Sequence, residues 1–385
     1  MPEQHPSAPS ARTRTPRRRR AGALAALGAV GVVTLAGCSS TPSAAPAKKT
    51  VATSSTTTSA PPVTCPLTGT PAPGGTVPAL PALAVKVDNY PAARPQSGLD
   101  KADIVFEEPV EGGITRYAAV FQCQQAALVG PIRSARNIDI GILSEFGKPL
   151  LAHVGGINPV LANINASALT NVDLGNYGSV IQHVPGRYAP YDTYASTQAL
   201  WATQPSNTTP PQPVFTYSPT PPVGTAVTAV AIPFSQTSNV VWQYNATAHV
   251  FERFYGALPD TLADGVQNSA TNVVVQVVHV TYGPWFENSE GGLEVQAQLY
   301  GTTGPLQVYR DGVEVTGTWS RPTLASPTQL LNAQGQVIPL SPGTTWVELV
   351  PDTIPITPTP APAPPATTPT TAKTTAKSTA TTAKG

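Results

Sequence analysis

Two low-complexity tracts limit where this chain can fold. Residues 39–64 and 352–385 are built mostly from Ser, Thr, Ala, Pro, Lys and Val. Such segments cannot bury enough apolar surface to offset the entropy of ordering, so both are expected to be disordered. A core must then come from residues 65–351, a length that suits two domains. Residues 205–222, rich in proline and poor in bulky side chains, mark the internal boundary. The expected order is a leader (1–37), a tether (38–64), an N-terminal domain (65–204), a Pro-rich linker (205–222), a C-terminal domain (223–351) and a tail (352–385).

The leader has its own logic. Arg17 to Arg20 precede an apolar run, Ala21 to Gly37, which ends in Leu35-Ala36-Gly37-Cys38. A basic start, a short apolar stretch and small residues before a cleavage point read as a secretory signal. The run falls short of the roughly 20 residues that a spanning helix needs. A Leu-Ala-Gly-Cys ending is the lipobox of bacterial lipoproteins, which makes Cys38 the expected lipidation site. The mature protein would start there, anchored to the membrane on its extracytoplasmic side. The tether could then lift the body some ~80 Å from the surface.

Removing the leader changes the charge balance. Between Cys65 and Pro351 there are 11 Lys/Arg against 19 Asp/Glu, a net of −8. An acidic body lacks the basic footprint of a nucleic-acid binder. With Cys38 assigned to the lipid, Cys65 and Cys123 remain, and in an oxidising compartment a disulfide is the default. It would tie the N-terminal arm to the sheet and contribute about 3–4 kcal/mol through loop entropy. A catalytic thiol is the weaker reading, because no His lies near either cysteine in sequence. No Cys/His cluster has zinc spacing, so neither metal nor cofactor is expected.

The first half alternates strands with short helices, an α+β or mixed α/β pattern. Strands are expected at residues 83–87, 104–107, 114–122 and 150–154, with Gly112-Gly113 as a hairpin turn. Ser134 is placed to cap a helix carrying Ile138, Ile142 and Phe146 and ending near Gly147. A further short helix is expected over Pro159 to Asn165. The second half reads as a mostly antiparallel β domain, with strands at 240–244, 250–255, 272–281, 293–300, 306–310, 313–319 and 346–350. Asp311-Gly312 is a strong two-residue hairpin turn. Trp319 and Trp346 are expected in the core, whereas Trp285, beside Gly283-Pro284, is more open to a binding role.

Residues 88–136 concentrate the unusual polar side chains. Four of the body's eight arginines fall there, with the acids Asp88, Asp100, Asp103, Glu107, Glu108 and Glu111. Arg133 and Arg136, flanking Ser134 at the expected helix start, could grip a carboxylate or phosphate. Both could instead pair with Glu107, Glu108 or Glu111 and only fasten the hairpin. Arg94 and Arg116 are ambiguous in the same way. Asp88 and Glu111 could form an acid–base pair acting on a glycan, or bind a divalent cation, with His153 as a candidate general base. None of these has diagnostic spacing, and no nucleophile elbow, Walker loop or zincin motif is present.

At these residues the chain resembles a known family. The run DNYPAARPQSGLDKADIVFEE (88–108), EGGITRY (111–117) and GPIRSAR (130–136) resembles the YerB-like bacterial lipoproteins. The likeness continues through YRDG (309–312), GTWSRP (317–322) and PGTTWVELVP (342–351). It implies a membrane-anchored protein with a larger N-terminal and a smaller C-terminal domain, and it assigns no catalytic residues. Cys65 and Cys123 are not part of that pattern, so their pairing rests on compartment alone.

The leading expectation is a lipid-anchored binding or accessory module for an anionic envelope ligand, such as a wall polymer or its precursor. Arg94, Arg116, Arg133, Ser134 and Arg136 are its candidate binding residues. One alternative is a glycan or phosphodiester hydrolase using Asp88, Glu111 and His153. Another is a scaffold for an envelope protein partner, with arginines and acids paired one to one and no cleft above them.

Overall fold

Strand alternation decides which side of the sheet each polar residue of the first half reaches. In β1 (Leu83–Asp88), Leu83, Val85 and Val87 join one apolar cluster. Ala84 joins the other, and Lys86 and Asp88 share its face. β2 (Ile104–Pro109) and β3 (Thr115–Phe121) divide in the same way, so Glu108 and Arg116 share the face of Lys86 while Glu107 points oppositely. Every residue of β1 and β3 is buried, the pattern of strands covered on both faces. The computed structural model describes residues 61–287, 292–363 and Gly385. The apolar run, the lipobox and Cys38 lie outside the described residues. Residues 60–385 form one compact unit.

After β3 come α1 (Ile138–Leu143), β4 (Leu150–His153), α2 (Asn158–Ala166) and β5 (Thr170–Asp173). A small ribbon of β6 (Gln182–His183) and β7 (Thr193–Tyr194) precedes α3 (Thr197–Trp201). Beyond α3, regular structure among the described residues is all strand. β8 (Thr225–Pro233), β9 (Asn239–Asn245), β10 (Val250–Tyr255), β11 (Leu258–Pro259) and β12 (Ser269–Ala270) build an antiparallel wing. β13 (Asn272–Val278) returns to the centre. A separate hairpin follows, β14 (Val280–Phe286) with β15 (Leu293–Ala297). β16 (Thr302–Arg310), β17 (Val313–Arg321), β18 (Gln329–Asn332) and β19 (Thr345–Pro351) complete the second half.

The result is a strand-rich protein with one large mixed sheet running through both halves. Its order is β11-β10-β9-β8-β17-β16-β13-β19-β2-β3-β1-β4-β5. β19, from late in the chain, lies parallel between β13 and β2 and joins the halves edge to edge. Asp311 and Gly312, both at positive φ (53° and 71°), make the tight turn between β16 and β17. Trp319 and Trp346 are both buried, whereas Trp285 sits half-buried on β14 rather than in a loop. Cys65 and Cys123 are joined by a disulfide, which fastens the entering chain just beyond the end of β3.

Two expectations are corrected. The helix expected from Ser134 starts at Ile138 instead, with Asn137 at its cap and no side-chain capping bond. The backbone of 131–135 is engaged elsewhere. Asp88 donates its N–H to the Pro131 carbonyl at 2.9 Å, Arg133 N–H donates to Lys86 at 2.9 Å, and Ala135 N–H to Gly155 at 3.1 Å. An extended segment wedged between β1 and β4 leaves Ser134 no helix to cap. The tail is not wholly without structure either. Thr357–Pro360 forms a strand, β20, that pairs antiparallel with β8. The Pro-rich stretch 205–222 touches the body, where Arg310 donates to the carbonyls of Ser218 (3.1 Å) and Thr220 (2.6 Å).

Candidate functional site

The shared face of Lys86, Asp88, Glu108 and Arg116 opens, where β1 ends and β3 begins, into a cleft of about 460 Å³. Asp88, Glu111, Arg116, Arg133, Ser134 and Arg136 all line it. The structure therefore gathers six of the sequence's candidates. Tyr90, Tyr191 and Glu287, not singled out from the sequence, line it too, with Gly112 and Ile114 of the turn before β3.

The three arginines are not equivalent. Arg136 is fully engaged: its Nε donates to Glu111 Oε2 at 2.9 Å, its Nη2 to Glu111 Oε1, and its Nη1 to the Ala135 carbonyl at 2.9 Å. Arg116 donates from Nη1 to the Ser134 carbonyl at 3.1 Å and from Nη2, weakly, to Glu111 at 3.4 Å. Its buried Nε has no partner among the described residues. Arg133 donates only from Nε, to Asp88 Oδ2 at 2.8 Å. Its side chain keeps 27% of its exposure, and neither terminal amino group has a bonding partner among the described residues. Its guanidinium lies 5.9 Å from the centre of the Tyr191 ring, which stacks nearly parallel on Tyr90 with centroids 6.4 Å apart.

The acids divide too. Burial alone would push Glu111 up, but the Arg136 hydrogen bond and the Arg116 and Arg136 charges hold its carboxyl down to about 2. It is an ionised clamp, not a proton donor at neutral pH. Glu287 is pushed up by burial, and neither of its oxygens forms a hydrogen bond among the described residues. Asp88 also accepts the Tyr90 N–H at 3.0 Å.

Beneath the cleft lies Lys86, wholly buried between Glu108 and Asp139, with the latter at 2.7 Å. Burial lowers its ammonium to about 8, and the nearby Arg116 and Arg136 add to that lowering. Burial and Arg136 likewise bring Arg116 down to about 10. Both shifts come first from burial, and neighbouring positive charge adds to them. A lysine inside the apolar run LAVKV was the one available signal, since a charge that must be buried needs partners.

Two candidates lie elsewhere. Arg94 donates to Asn89 Oδ1 (3.1 Å) and to the Thr237 carbonyl (2.8 Å), and its guanidinium sits 3.5 Å from the Tyr255 ring centre. It fastens the loop after β1 to the β8–β10 wing. His153 is buried, with Nδ1 2.9 Å from the Gly155 carbonyl oxygen and Nε2 2.7 Å from Asn171 Oδ1. It does not line the cleft with Asp88 and Glu111. Among the described residues no cluster of three or more His, Cys, Asp or Glu is placed to hold a metal.

A strand-rich body with a continuous mixed sheet through both halves defines the fold class, and a solved structure shares it. The crystal structure of YerB from Bacillus subtilis aligns with a TM-score of 0.66 over 77% of this chain and 99% of that one, at 23% identity. At that identity the likeness establishes the fold alone. Residues 67–209 match the N-terminal domain, and 230–347 the C-terminal domain, of the family described as protein of unknown function DUF3048. The chain belongs to this family. A Bacillus subtilis (strain 168) relative, "Putative lipoprotein YerB", is 39% identical over 117 residues, 30% of this chain. That stretch covers 34% of the relative, well under two thirds of its length. Among the described residues no helix is long and apolar enough to cross a membrane.

Proposed function

We propose that this protein is a lipid-anchored module, held at Cys38 on the extracytoplasmic face, that binds an anionic envelope ligand such as a wall polymer or its precursor. The observation that carries the reading is Arg133. It stands in a cleft beside two other arginines with both terminal amino groups free, so its planar fork can take a phosphate or carboxylate in two hydrogen bonds. Arg116 Nε adds a further uncommitted donor. A purely structural rim would pair arginines and acids one to one, whereas here Glu111 serves two arginines. The stacked Tyr90 and Tyr191 offer flat apolar faces of the kind on which sugar rings rest. The hydrolase reading has no comparable support, because Glu111 is clamped in its ionised form and His153 does not line the cleft.

A thermal-shift screen of residues 60–385 against wall fragments, glycerol phosphates and inorganic phosphate tests it. One anionic class should give a saturable rise in Tm that is absent from Arg133→Ala, each protein being read against its own ligand-free Tm. A rise that persists in Arg133→Ala would place binding elsewhere and refute the reading.

A further inference from the structure

A second cavity, of about 350 Å³, adjoins the arginine cleft. Its lining mixes the apolar Val110, Ile114, Val280, Leu293, Val295 and Ile354 with the polar Glu111, Thr115, Asp352 and Thr353. The two cavities share Glu111, Gly112 and Ile114, so a single three-residue turn, Glu111–Gly113, lies between them. That turn is nearly bare. Gly112 sits at φ +75° and Gly113 at φ +69°, and a Cβ built on either meets nothing within 4 Å. The β14–β15 hairpin borders both spaces, giving Tyr282 and Leu293 to the apolar one and Glu287 to the charged one. Tyr282 keeps 69% of its exposure at the apolar mouth, an unusual state for an aromatic residue beside a cavity.

We infer that the two cavities form one site for an amphiphile, a lipid phosphate whose head rests on Arg133 and Arg116 and whose hydrocarbon chain lies in the apolar cavity. The inference rests on the anion reading above and names its ligand class. A phosphate fits the head because the arginine fork matches its oxygens and because the charged cleft is larger than a lone carboxylate needs. A hydrocarbon chain fits the neighbour because the glycine turn puts no side chain in the way and six aliphatic side chains face the space. Both volumes lie in the range of small-molecule sites.

Calorimetric titration of residues 60–385 with methyl, butyl, hexyl and octyl phosphate, each below its micellar concentration, tests this. Affinity should rise about two- to fourfold per added methylene until the cavity is full. Leu293→Asp should flatten that series and leave methyl phosphate binding intact, while Arg133→Ala should weaken every member. If Leu293→Asp lowers the ligand-free Tm, Tyr282→Asp, at a more exposed position, serves the same purpose. Equal affinity along the series overturns the amphiphile inference and leaves the anion reading standing. A chain-length effect untouched by either cavity variant marks detergent-like binding elsewhere and also overturns it. Failure of every phosphate to bind defeats both.

Discussion

Arg133 and Arg136 stand three positions apart and read alike in the sequence, yet they differ in what their removal should do. Arg136 neutralises Glu111, whose carboxylate it holds from two nitrogens in a nearly solvent-free setting. Arg136→Ala should therefore cost about 3–5 kcal/mol of stability in urea unfolding, because it leaves a buried carboxylate poorly compensated. Arg133 is half-buried and bonded through one nitrogen to the buried Asp88, so Arg133→Ala should cost about 1–2 kcal/mol, less than Arg136→Ala. It should weaken an anionic ligand about ten- to hundredfold by calorimetry. The concentration of charge in residues 88–136 was legible from the sequence, and so was its ambiguity between site and ion pairs. The assignment of each arginine was not. It depends on partners such as Glu287 and on the path of the chain through 131–136, which no local spacing encodes.

Elements follow the same division. The strands of the first half were readable because β1, β2 and β3 are apolar runs punctuated by turn residues, with Gly112 and Gly113 supplying positive φ. The helix at Ser134 was misread because a capping residue before a periodic apolar run is only a local signal. The Arg136 amide that such a cap would have satisfied donates to Asp139 Oδ2 instead, while the Arg133 and Ala135 amides donate to Lys86 and Gly155. β20 was hidden for a different reason. A Pro/Thr run reads as disordered, yet an edge strand can tolerate proline where the missing N–H faces outward. β20 covers the edge of β8, and Ile354 and Ile356 pack against the adjoining core. Ending the chain at Pro351 should thus uncover that edge, lower Tm and promote aggregation in light scattering. Ending it at residue 363 should leave both unchanged. Equal behaviour of the two truncations would mean that β20 contributes nothing.

At the scale of the molecule, a buried polar network joins the two halves on the face opposite the cleft. Arg253, on β10, donates to Glu107 and Asp260, both at 2.6 Å, and sits over the rings of Tyr117, Tyr255 and Trp346. Glu348, on β19, accepts from Trp242 Nε1 at 2.7 Å, and burial together with the Glu107 charge pushes its carboxyl well above 4.5. The partners are 146 positions apart in the case of Arg253 and Glu107, beyond any sequence pattern. The sign of the pH dependence follows. Folded Glu348 keeps a proton that the unfolded chain releases above 4.5, so its stabilisation is full below that pH and is lost as pH rises. Asp103, pushed up to about 6 by burial, acts in the same direction, whereas Glu111, held near 2, loses its contribution as pH falls from 4.5 toward 2. Urea unfolding should show stability declining as pH rises above 5, by up to about 1.4 kcal/mol per pH unit while a raised carboxyl titrates, with Asp103 contributing only to about pH 6. Glu348→Gln, a neutral mimic, should reduce that decline, and an unchanged decline would contradict the assignment. Reducing Cys65–Cys123 should cost a further ~3–4 kcal/mol. These networks give a rigid frame, and the frame sets three arginines around one cleft. The most direct test of that cleft is calorimetric titration of residues 60–385 with a glycerol phosphate oligomer, comparing the natural chain, Arg133→Gln and Lys148→Gln, which removes an exposed charge away from the cleft. Arg133→Gln should weaken binding at least tenfold and Lys148→Gln should leave it unchanged; equal affinity in all three would contradict an arginine-lined binding cleft.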